Sequence, residues 1–232
     1  MHPLDNVIWQ ALTTRQARFA ESGDYARRFV HEVSPLSAFE EPSSQGYSSL
    51  SHLVTVGATT AVFLDEPYQA RSGWDWVAGA PLLQMVCENG NGLPAQTHAG
   101  LEIVELTPQD SAEMLELTSL TKPGPFGTRT HELGHYVGIR DDGKLVAMAG
   151  ERLKVNGHTE VSAVCTHPAH SGKGYARILM SEIMRRIRNR GEKPFLHVRC
   201  DNTRAIEIYK KLGFSTRKET HFAVLRRSQP NA

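Results

Sequence analysis

The sequence has few cysteines and no long apolar run. Three cysteines in 232 residues, Cys87, Cys165 and Cys200, are too few and too scattered for a disulfide framework or for repeated Cys-x-x-Cys metal sites. We therefore expect a reducing, cytoplasmic location. No stretch approaches the roughly 20 apolar residues that a membrane helix needs, and the first ten residues contain Asp5 and no long apolar run. The sequence predicts neither membrane insertion nor secretion by a standard signal.

Net charge is almost absent, but the charge is unevenly distributed along the chain. Lys and Arg together number 26, against 25 for Asp and Glu, whereas residues 171–232 hold 15 basic and 5 acidic residues, a formal charge of +10. Such a local field attracts a phosphate-bearing ligand or a nucleic acid. The arginines there follow an amphipathic pattern without interleaved aromatic residues, which is typical of a solvated helix face. We therefore expect no nucleic-acid partner.

A cluster of Gly, Pro and Asn at residues 89–100 is the strongest break in the hydrophobic pattern. It predicts a domain boundary, with an N-terminal α/β region at 1–100 and a second domain at 101–232. In the first region, Leu4, Val7 and Leu12 favour a helix after an Asp5 cap, and TAVFLD and LLQMVC favour buried strands. This region carries no recognisable motif.

The second region alternates strand and helix patterns. LEIVEL, HYVGIR, LVAMAGERL, EVSAVCT and PFLHVR predict strands, with hairpin turns at DDGK and NGHT. Apolar residues at helical spacing predict three helices, at residues 111–120, 176–187 and 205–212. Gly213 would end the last helix.

A strand, a glycine turn and a helix follow one another in EVSAVCTHPAHSGKGYARILM. Gly172 and Gly174 allow a tight turn, so that consecutive amides can point to one place where a helix begins. Unpaired N–H groups and the helix dipole favour an anion there, and Lys173 adds positive charge. A Gly-x-Gly pair alone is weak evidence, because glycine turns between strands and helices are often only structural.

Two motifs together make the pattern specific. HPAHSGKGYARIL, followed by LHVRCDNTRAIEIYKKLGF, resembles the GNAT superfamily of acyl-CoA N-acyltransferases. In that family the turn reads Arg/Gln-x-x-Gly-x-Gly/Ala, and the later segment reads Asn-x-x-Ala-x-x-x-Tyr-x-x-x-Gly-Phe. The later motif is complete here, whereas the turn departs at Ser171, where the family prefers Arg or Gln. The resemblance covers roughly residues 101–227.

The resemblance implies a fold and a cosubstrate. The fold would be α/β, with a mixed, largely antiparallel sheet that splays where CoA enters and is flanked by helices. We also consider the first hundred residues as a degenerate second copy of this fold.

The cosubstrate would be acetyl-CoA, with an amine acceptor, no metal and no membrane partner. A homodimer is compatible with the sequence. The backbone of Val164 and Thr166 would pair with pantetheine, and Asn202 would contact the pantetheine arm or only cap its helix. The amides that would hold the pyrophosphate belong to Gly172, Lys173, Gly174, Tyr175 and Ala176.

The same resemblance implies the catalytic groups. Tyr209 would be the general acid that protonates the departing thiolate, or otherwise a core tyrosine. Glu160 would be the general base for the amine, or otherwise a solvated carboxylate at a strand start. The reaction would be direct attack of a primary amine on the thioester in a ternary complex. A protein that binds acyl-CoA without turnover is the alternative.

Two other motifs point to different chemistry. His131 and His135 form an HExxH pattern, but Gly134 breaks the helix that a zinc protease needs. Cys165 and His167 share a strand face, where a buried structural cysteine is favoured over a nucleophilic pair. His197, on the strand PFLHVR, is interpreted as structural.

Overall fold

A computed structural model describes residues 2–88 and 101–229 of the protein. The predicted boundary segment, 89–100, lies outside the described residues. The strands are β1 Ala20–Ser22, β2 Ala26–Phe29, β3 Ser37–Phe39, β4 Thr59–Leu64, β5 Trp74–Val86, β6 Ile103–Leu106, β7 Tyr136–Asp141, β8 Lys144–Val155, β9 His158–Thr166, β10 Lys193–Arg199 and β11 Ser215–Arg227. The α-helices are α1 Val7–Thr13, α2 Ser44–Leu53, α3 Ser111–Thr121, α4 Tyr175–Asn189 and α5 Thr203–Lys211.

Eight strands form one sheet in the order β4-β11-β5-β10-β9-β8-β7-β6. All neighbours are antiparallel except β9 and β10, which run parallel. Helices flank the sheet, so the predicted class, a mixed and largely antiparallel α/β fold, is confirmed. Strands β4 and β5 come from the first hundred residues, and β5 lies between β10 and β11. Both predicted regions therefore contribute to the same sheet.

The sheet is the middle layer of the described structure. On one side, Leu179 and Ile183 of α4 pack into a buried cluster with Val161 and Leu196 of the sheet. A separate cluster joins residues of the first region, such as Leu12, to Phe195 of the sheet. The first region also forms a small sheet of β1, β2 and β3. Its interpretation as a second copy of the fold stays a hypothesis.

Local sequence accounts for most of the second region. In α4, the apolar positions are buried while Arg185 and Arg188 lie off that face, as the 3.6-residue period predicts. The β7–β8 hairpin turns through Asp142 and Gly143, whose φ angles of 48° and 77° are those of a type I′ turn. The predicted strands and helices at 101–212 are all present, within a few residues of their predicted ends.

Two features of the fold differ from the sequence-based expectation. Asp5 does not cap α1. The cap position is Asn6, whose side chain donates to the Phe39 carbonyl and makes no capping bond, and the Asp5 carboxylate pairs with Arg217 of β11. Strand β11 itself was not predicted. Its alternation of apolar and polar residues is weak because charged residues occupy many positions, and its pairing with β5 joins residues more than a hundred positions apart.

Among the described residues, no helix is both long and apolar enough to cross a membrane.

Candidate functional site

The two parallel strands in the middle of the sheet separate soon after they begin to pair. Their register runs from Lys193 opposite His158 to Phe195 opposite Glu160 and stops there, although β9 continues to Thr166. The edge of β9 at residues 161–166 is therefore not paired with β10. Within the described residues, no strand pairs with this edge, so its main-chain donors and acceptors could bind an extended ligand in place of a strand.

A bulge interrupts β9 within this open segment. Ser162 lies opposite Gly150 and Cys165 opposite Met148, so that Ala163 and Val164 together face the single residue Ala149. Ala163 has a φ of 52°, which is uncommon for a residue with a side chain. A bulge changes the direction of neighbouring amides, and bulges are frequent beside functional sites.

The glycine turn lies directly beyond the end of β9. Gly172 and Gly174 have φ angles of 82° and 80°, in the left-handed region that favours glycine, and a Cβ at either would meet only open space. Gly174 is the N-cap of α4 and no side chain caps the helix. The first amides of a four-turn helix thus lack an intrahelical partner, and Lys173 lies beside them.

Two residues predicted to bind the cosubstrate pack against the same cluster as the predicted general acid. Val164, Tyr175 and Tyr209 all pack against the same buried cluster as the inner face of α4. The Thr166 hydroxyl is buried and has no hydrogen-bond partner among the described residues. An orphaned hydroxyl, an unpaired strand edge and an uncapped helix N-terminus are features that a long polar ligand with phosphates would satisfy.

Helix α5 carries the two other predicted residues. Asn202 is its N-cap, and its Oδ1 accepts a hydrogen bond from the Ala205 amide at 3.2 Å. The capping role is therefore present, while contact with the pantetheine arm stays a prediction. Tyr209 is partly buried, its ring stands edge-on to Phe214, and its hydroxyl has no hydrogen-bond partner among the described residues. Burial raises the pKa of this hydroxyl.

Glu160 is not the solvated carboxylate that the alternative interpretation expected. Its side chain is 1% exposed. Arg152 donates two hydrogen bonds of 2.8 Å to it, and the Leu153 amide donates a third at 3.3 Å. Burial alone would raise the pKa of this carboxyl, but the Arg152 charge and the hydrogen bonds from Arg152 and His197 lower it to about 2. Such a weak base is poorly suited to take a proton from an amine.

His197 was interpreted as structural, yet it contacts Glu160 directly. The two side chains meet at 2.7 Å, between His197 Nδ1 and Glu160 Oε1. On its other side, Gln84 Nε2 donates to His197 Nε2 at 3.2 Å. The sequence signal was a histidine at an alternate position of an otherwise apolar strand. Its partner lies 37 positions away, so spacing alone could not identify the pair.

The competing motifs form no site in the described part of the chain. Residues Thr130–Leu133 make one 3-10 turn and Gly134 is extended, so the two histidines of HExxH do not share a helix. No group of three or more His, Cys, Asp or Glu side chains among residues 2–88 and 101–229 could hold a metal ion. Burial raises the pKa of the Cys165 thiol to about 11, which disfavours the thiolate that a nucleophile needs.

Comparison with known proteins agrees with this geometry. The FR47-like protein family model matches residues 136–223. A crystal structure of a GNAT-family protein from Novosphingobium aromaticivorans is 33% identical, with a TM-score of 0.90, over 99% of this chain and 100% of the other. A GCN5-related N-acetyltransferase from Kribbella flavida shares the fold, with 18% identity, a TM-score of 0.64 and coverage of 96% and 93%. The strand opening, the glycine turn and these matches define a GNAT fold.

Curated relatives match parts of the chain. N-alpha-acetyltransferase RimI from Mycobacterium tuberculosis is 40% identical over 86 residues, 34% of this chain and 51% of that protein. The protein ML0378 from Mycobacterium leprae is 32% identical over 156 residues, 60% of this chain and 42% of that protein. The chain thus spans about half the length of these relatives or less. The protein belongs to the GNAT superfamily of acetyltransferases.

Proposed function

We propose that the protein transfers an acyl group, most simply acetyl, from acyl-CoA to a primary amine. The observation that carries this proposal is the opening between β9 and β10, with the Gly172–Gly174 turn and the uncapped α4 directly beyond it. The similarity to GNAT acetyltransferases supports the reaction class. The protein is proposed to act in the cytoplasm, without a metal.

The cosubstrate would lie along β9 and end at α4. The amides of the turn and the first turn of α4 would hold the pyrophosphate, and they belong to Gly172, Lys173, Gly174, Tyr175 and Ala176. The unpaired edge of β9, with Val164 and Thr166, would pair with the amides of pantetheine. Ser171 lacks the long side chain with N–H donors of the Arg or Gln that the family prefers there, so the main chain and Lys173 would carry more of the binding.

The chemistry needs an oxyanion site and a proton donor. A main-chain amide near the Ala163 bulge and Cys165 would hold the oxyanion as the amine attacks the thioester carbonyl. As the carbon–sulfur bond breaks, the Tyr209 hydroxyl would give its proton to the leaving thiolate. The raised pKa keeps that hydroxyl protonated at neutral pH, so it has a proton to donate. A phenol is a weak acid for this purpose, and proximity must supply much of its effect.

The test is acyl-CoA-dependent release of free thiol with the full chain. Acetyl-CoA is offered with lysine, a peptide with a free α-amine, a diamine and an aminoglycoside, and thiol is titrated over time. At least one amine should raise thiol release well above the rate with acetyl-CoA alone. The peptide is included because one relative bears the name N-alpha-acetyltransferase. Tight acetyl-CoA binding with no amine-dependent release across the panel would favour a non-catalytic acyl-CoA sensor.

A further inference from the structure

A cavity of about 390 Å³ lies between the first region and the sheet. Its walls include the start of α1, the end of β3, and residues of β4, β5 and β11. Phe63, Gln84, His197 and Thr220 line the part formed by the sheet. None of the residues that the GNAT motifs place at the cosubstrate lines it.

His197 lies both on the wall of this cavity and beside the opening between strands β9 and β10. It lies on β10 two residues beyond Phe195, where pairing with β9 stops. Neighbouring Leu196 and Val198 pack into the cluster beneath α4, whereas the His197 ring lies against Phe63, 4.6 Å between centroids. Side chains alternate across a strand, so the His197 ring lies on the face opposite α4. The cavity and the proposed cosubstrate site therefore approach the same point from opposite faces.

Hydrogen bonds select one tautomer of His197. Arg152 holds the Glu160 carboxylate, which is ionised and can only accept, so His197 Nδ1 carries a hydrogen and donates to it. Gln84 is held in turn, because its Oε1 accepts from Arg217 at 2.9 Å and its Nε2 donates to the Leu4 carbonyl at 3.0 Å. Its amide nitrogen also faces His197 Nε2 as a donor. Nε2 is therefore the unprotonated ring nitrogen, and its lone pair, which a base requires, accepts the Gln84 N–H.

We propose that His197 is the general base for the acceptor amine, that Glu160 is its positioning residue, and that the cavity binds the acceptor. This inference rests on the proposed acyltransferase function and adds the acceptor side to it. The side chain of His197 lines the cavity and is only 2% exposed, so bulk water has little access to its ring. An acceptor N–H would replace the Gln84 N–H at that nitrogen.

The proton balance is simple. An ammonium acceptor first loses one proton to water. The nitrogen attacks the thioester carbon, a C–N bond forms, and Nε2 of His197 takes a second proton from that nitrogen. The C–S bond breaks with its electron pair on sulfur, and the thiolate takes the Tyr209 proton. Transfer of one proton from His197 to the Tyr209 phenolate, through water, restores both groups. The net reaction converts ammonium and thioester into amide, thiol and one released proton.

Charge around the cavity indicates the class of acceptor. Five carboxylates line it, Asp5, Glu40, Glu41, Asp65 and Glu66, against the two cations Arg71 and Lys218. Asp5 pairs with Arg217 and Asp65 pairs with Lys218, while the other three carboxylates form no ion pair within the described residues. An acceptor with a second positive charge would bind more tightly in this field, and one with a carboxylate would bind more weakly.

The variant His197→Asn tests His197 as the general base and keeps the hydrogen bond to Glu160. The asparagine amide can still donate to Glu160, but nothing replaces Nε2. His221→Asn, on β11 and outside the cavity lining, is the matched control. We expect kcat to fall about 10²- to 10⁴-fold in His197→Asn, with acetyl-CoA affinity close to wild type and a melting temperature lowered by the lost packing against Phe63. His221→Asn should turn over normally.

The pH profile separates a base from a structural histidine. The charged groups that face His197 are Glu160 directly, Arg152 behind it, and Arg217 through Gln84. Because the amine must lose its first proton in both proteins, kcat of both should rise with pH, but only wild type should show an additional, steeper loss in acid, where Nε2 of His197 is protonated. A profile and kcat unchanged in a folded variant would overturn the assignment of His197. Wild type without amine-dependent turnover would instead refute the proposed function.

An acceptor series tests the cavity independently of His197→Asn folding. The probes are 1,5-diaminopentane, pentylamine and 5-aminopentanoate, which share the attacking amine and differ only in the remote group. We expect kcat/KM to fall in that order. In the double variant Glu40→Gln with Glu66→Gln, the differences in kcat/KM among the three probes should be smaller. Equal kcat/KM for all three probes, or no effect of the double variant on their order, would overturn the cavity as the acceptor site.

Discussion

The side chains of His197 and Glu160 meet at 2.7 Å where strands β9 and β10 stop pairing. Glu160 is the last residue of β9 in register with β10, and His197 lies two residues beyond its partner Phe195. The pair therefore bridges the two strands at the narrow end of the opening. His197 of this pair also lines the cavity on the face of the sheet opposite α4.

Glu160→Gln should destabilise the protein strongly. The change removes the charge that compensates Arg152, which is itself buried. Breaking one partner of a buried ion pair typically costs about 3–5 kcal/mol. Denaturant melts should show this loss, and Glu207→Gln, whose exposed pair with Lys210 lies on α5, should change stability by less than about 1 kcal/mol. Equal stability of Glu160→Gln and wild type would contradict the structural role of this carboxylate.

The same carboxyl should make stability depend on pH in acid. Its folded-state pKa is lowered to about 2 from an ordinary value of 4.5. The stabilisation is therefore complete above pH 4.5 and is lost as the pH falls toward 2. Melts of wild type and Glu160→Gln across this window should converge at the acid end. A constant difference between them would show that the carboxyl does not titrate as assigned.

Gly174→Val should weaken acyl-CoA binding. A β-branched residue strains a φ of 80°, and its side chain would enter the open space at the start of α4. Gly157→Val is the matched control, because Gly157 has a φ of 73° in the β8–β9 turn and a Cβ there also meets open space. Both variants should lose about 1–3 kcal/mol of stability. Only Gly174→Val should raise the Kd for acetyl-CoA. We expect an increase of about tenfold or more, because the site that binds the pyrophosphate is disrupted.

Tyr209→Phe should lower kcat and leave acetyl-CoA affinity nearly unchanged. A proton delivered to the leaving thiolate acts in the transition state, and such a donor is worth about 10²- to 10⁴-fold. Tyr68→Phe is the control. The Tyr68 hydroxyl donates to the Trp74 carbonyl at 3.1 Å and accepts from the Arg71 amide at 3.1 Å, so its removal should cost roughly 1 kcal/mol of stability without affecting turnover. Full activity of Tyr209→Phe with a lowered melting temperature would make Tyr209 a packing residue.

The elements that local sequence determines could be predicted. Helix α4 follows from the spacing of Leu179, Ile183 and Ile187, and the β7–β8 turn follows from Asp142-Gly143. The two motifs also located the glycine turn and Tyr209. Strand β11 and the outer half of β5 could not be predicted, because both are largely exposed there and are defined by pairing with each other.

The proposed acceptor side of the site depends on contacts between distant segments. Glu160, His197 and Gln84 come from three different strands, and only the sheet order brings them together. A single buried histidine is usually structural, so its interpretation from sequence alone was reasonable. Glu160 was predicted at the site for its strand position, whereas the structure shows what surrounds it: Arg152, the Leu153 amide and His197.

The most direct test of the acyltransferase is the stoichiometry of the transfer itself. Purified protein, acetyl-CoA and an amine acceptor are incubated, and free thiol and acetylated amine are quantified in the same samples by titration and mass spectrometry. Direct attack predicts that the two products appear at equal rates and that neither accumulates without the amine. Thiol release without acetylated amine, or acetyl-CoA bound without either product for every acceptor class, would contradict the proposed function.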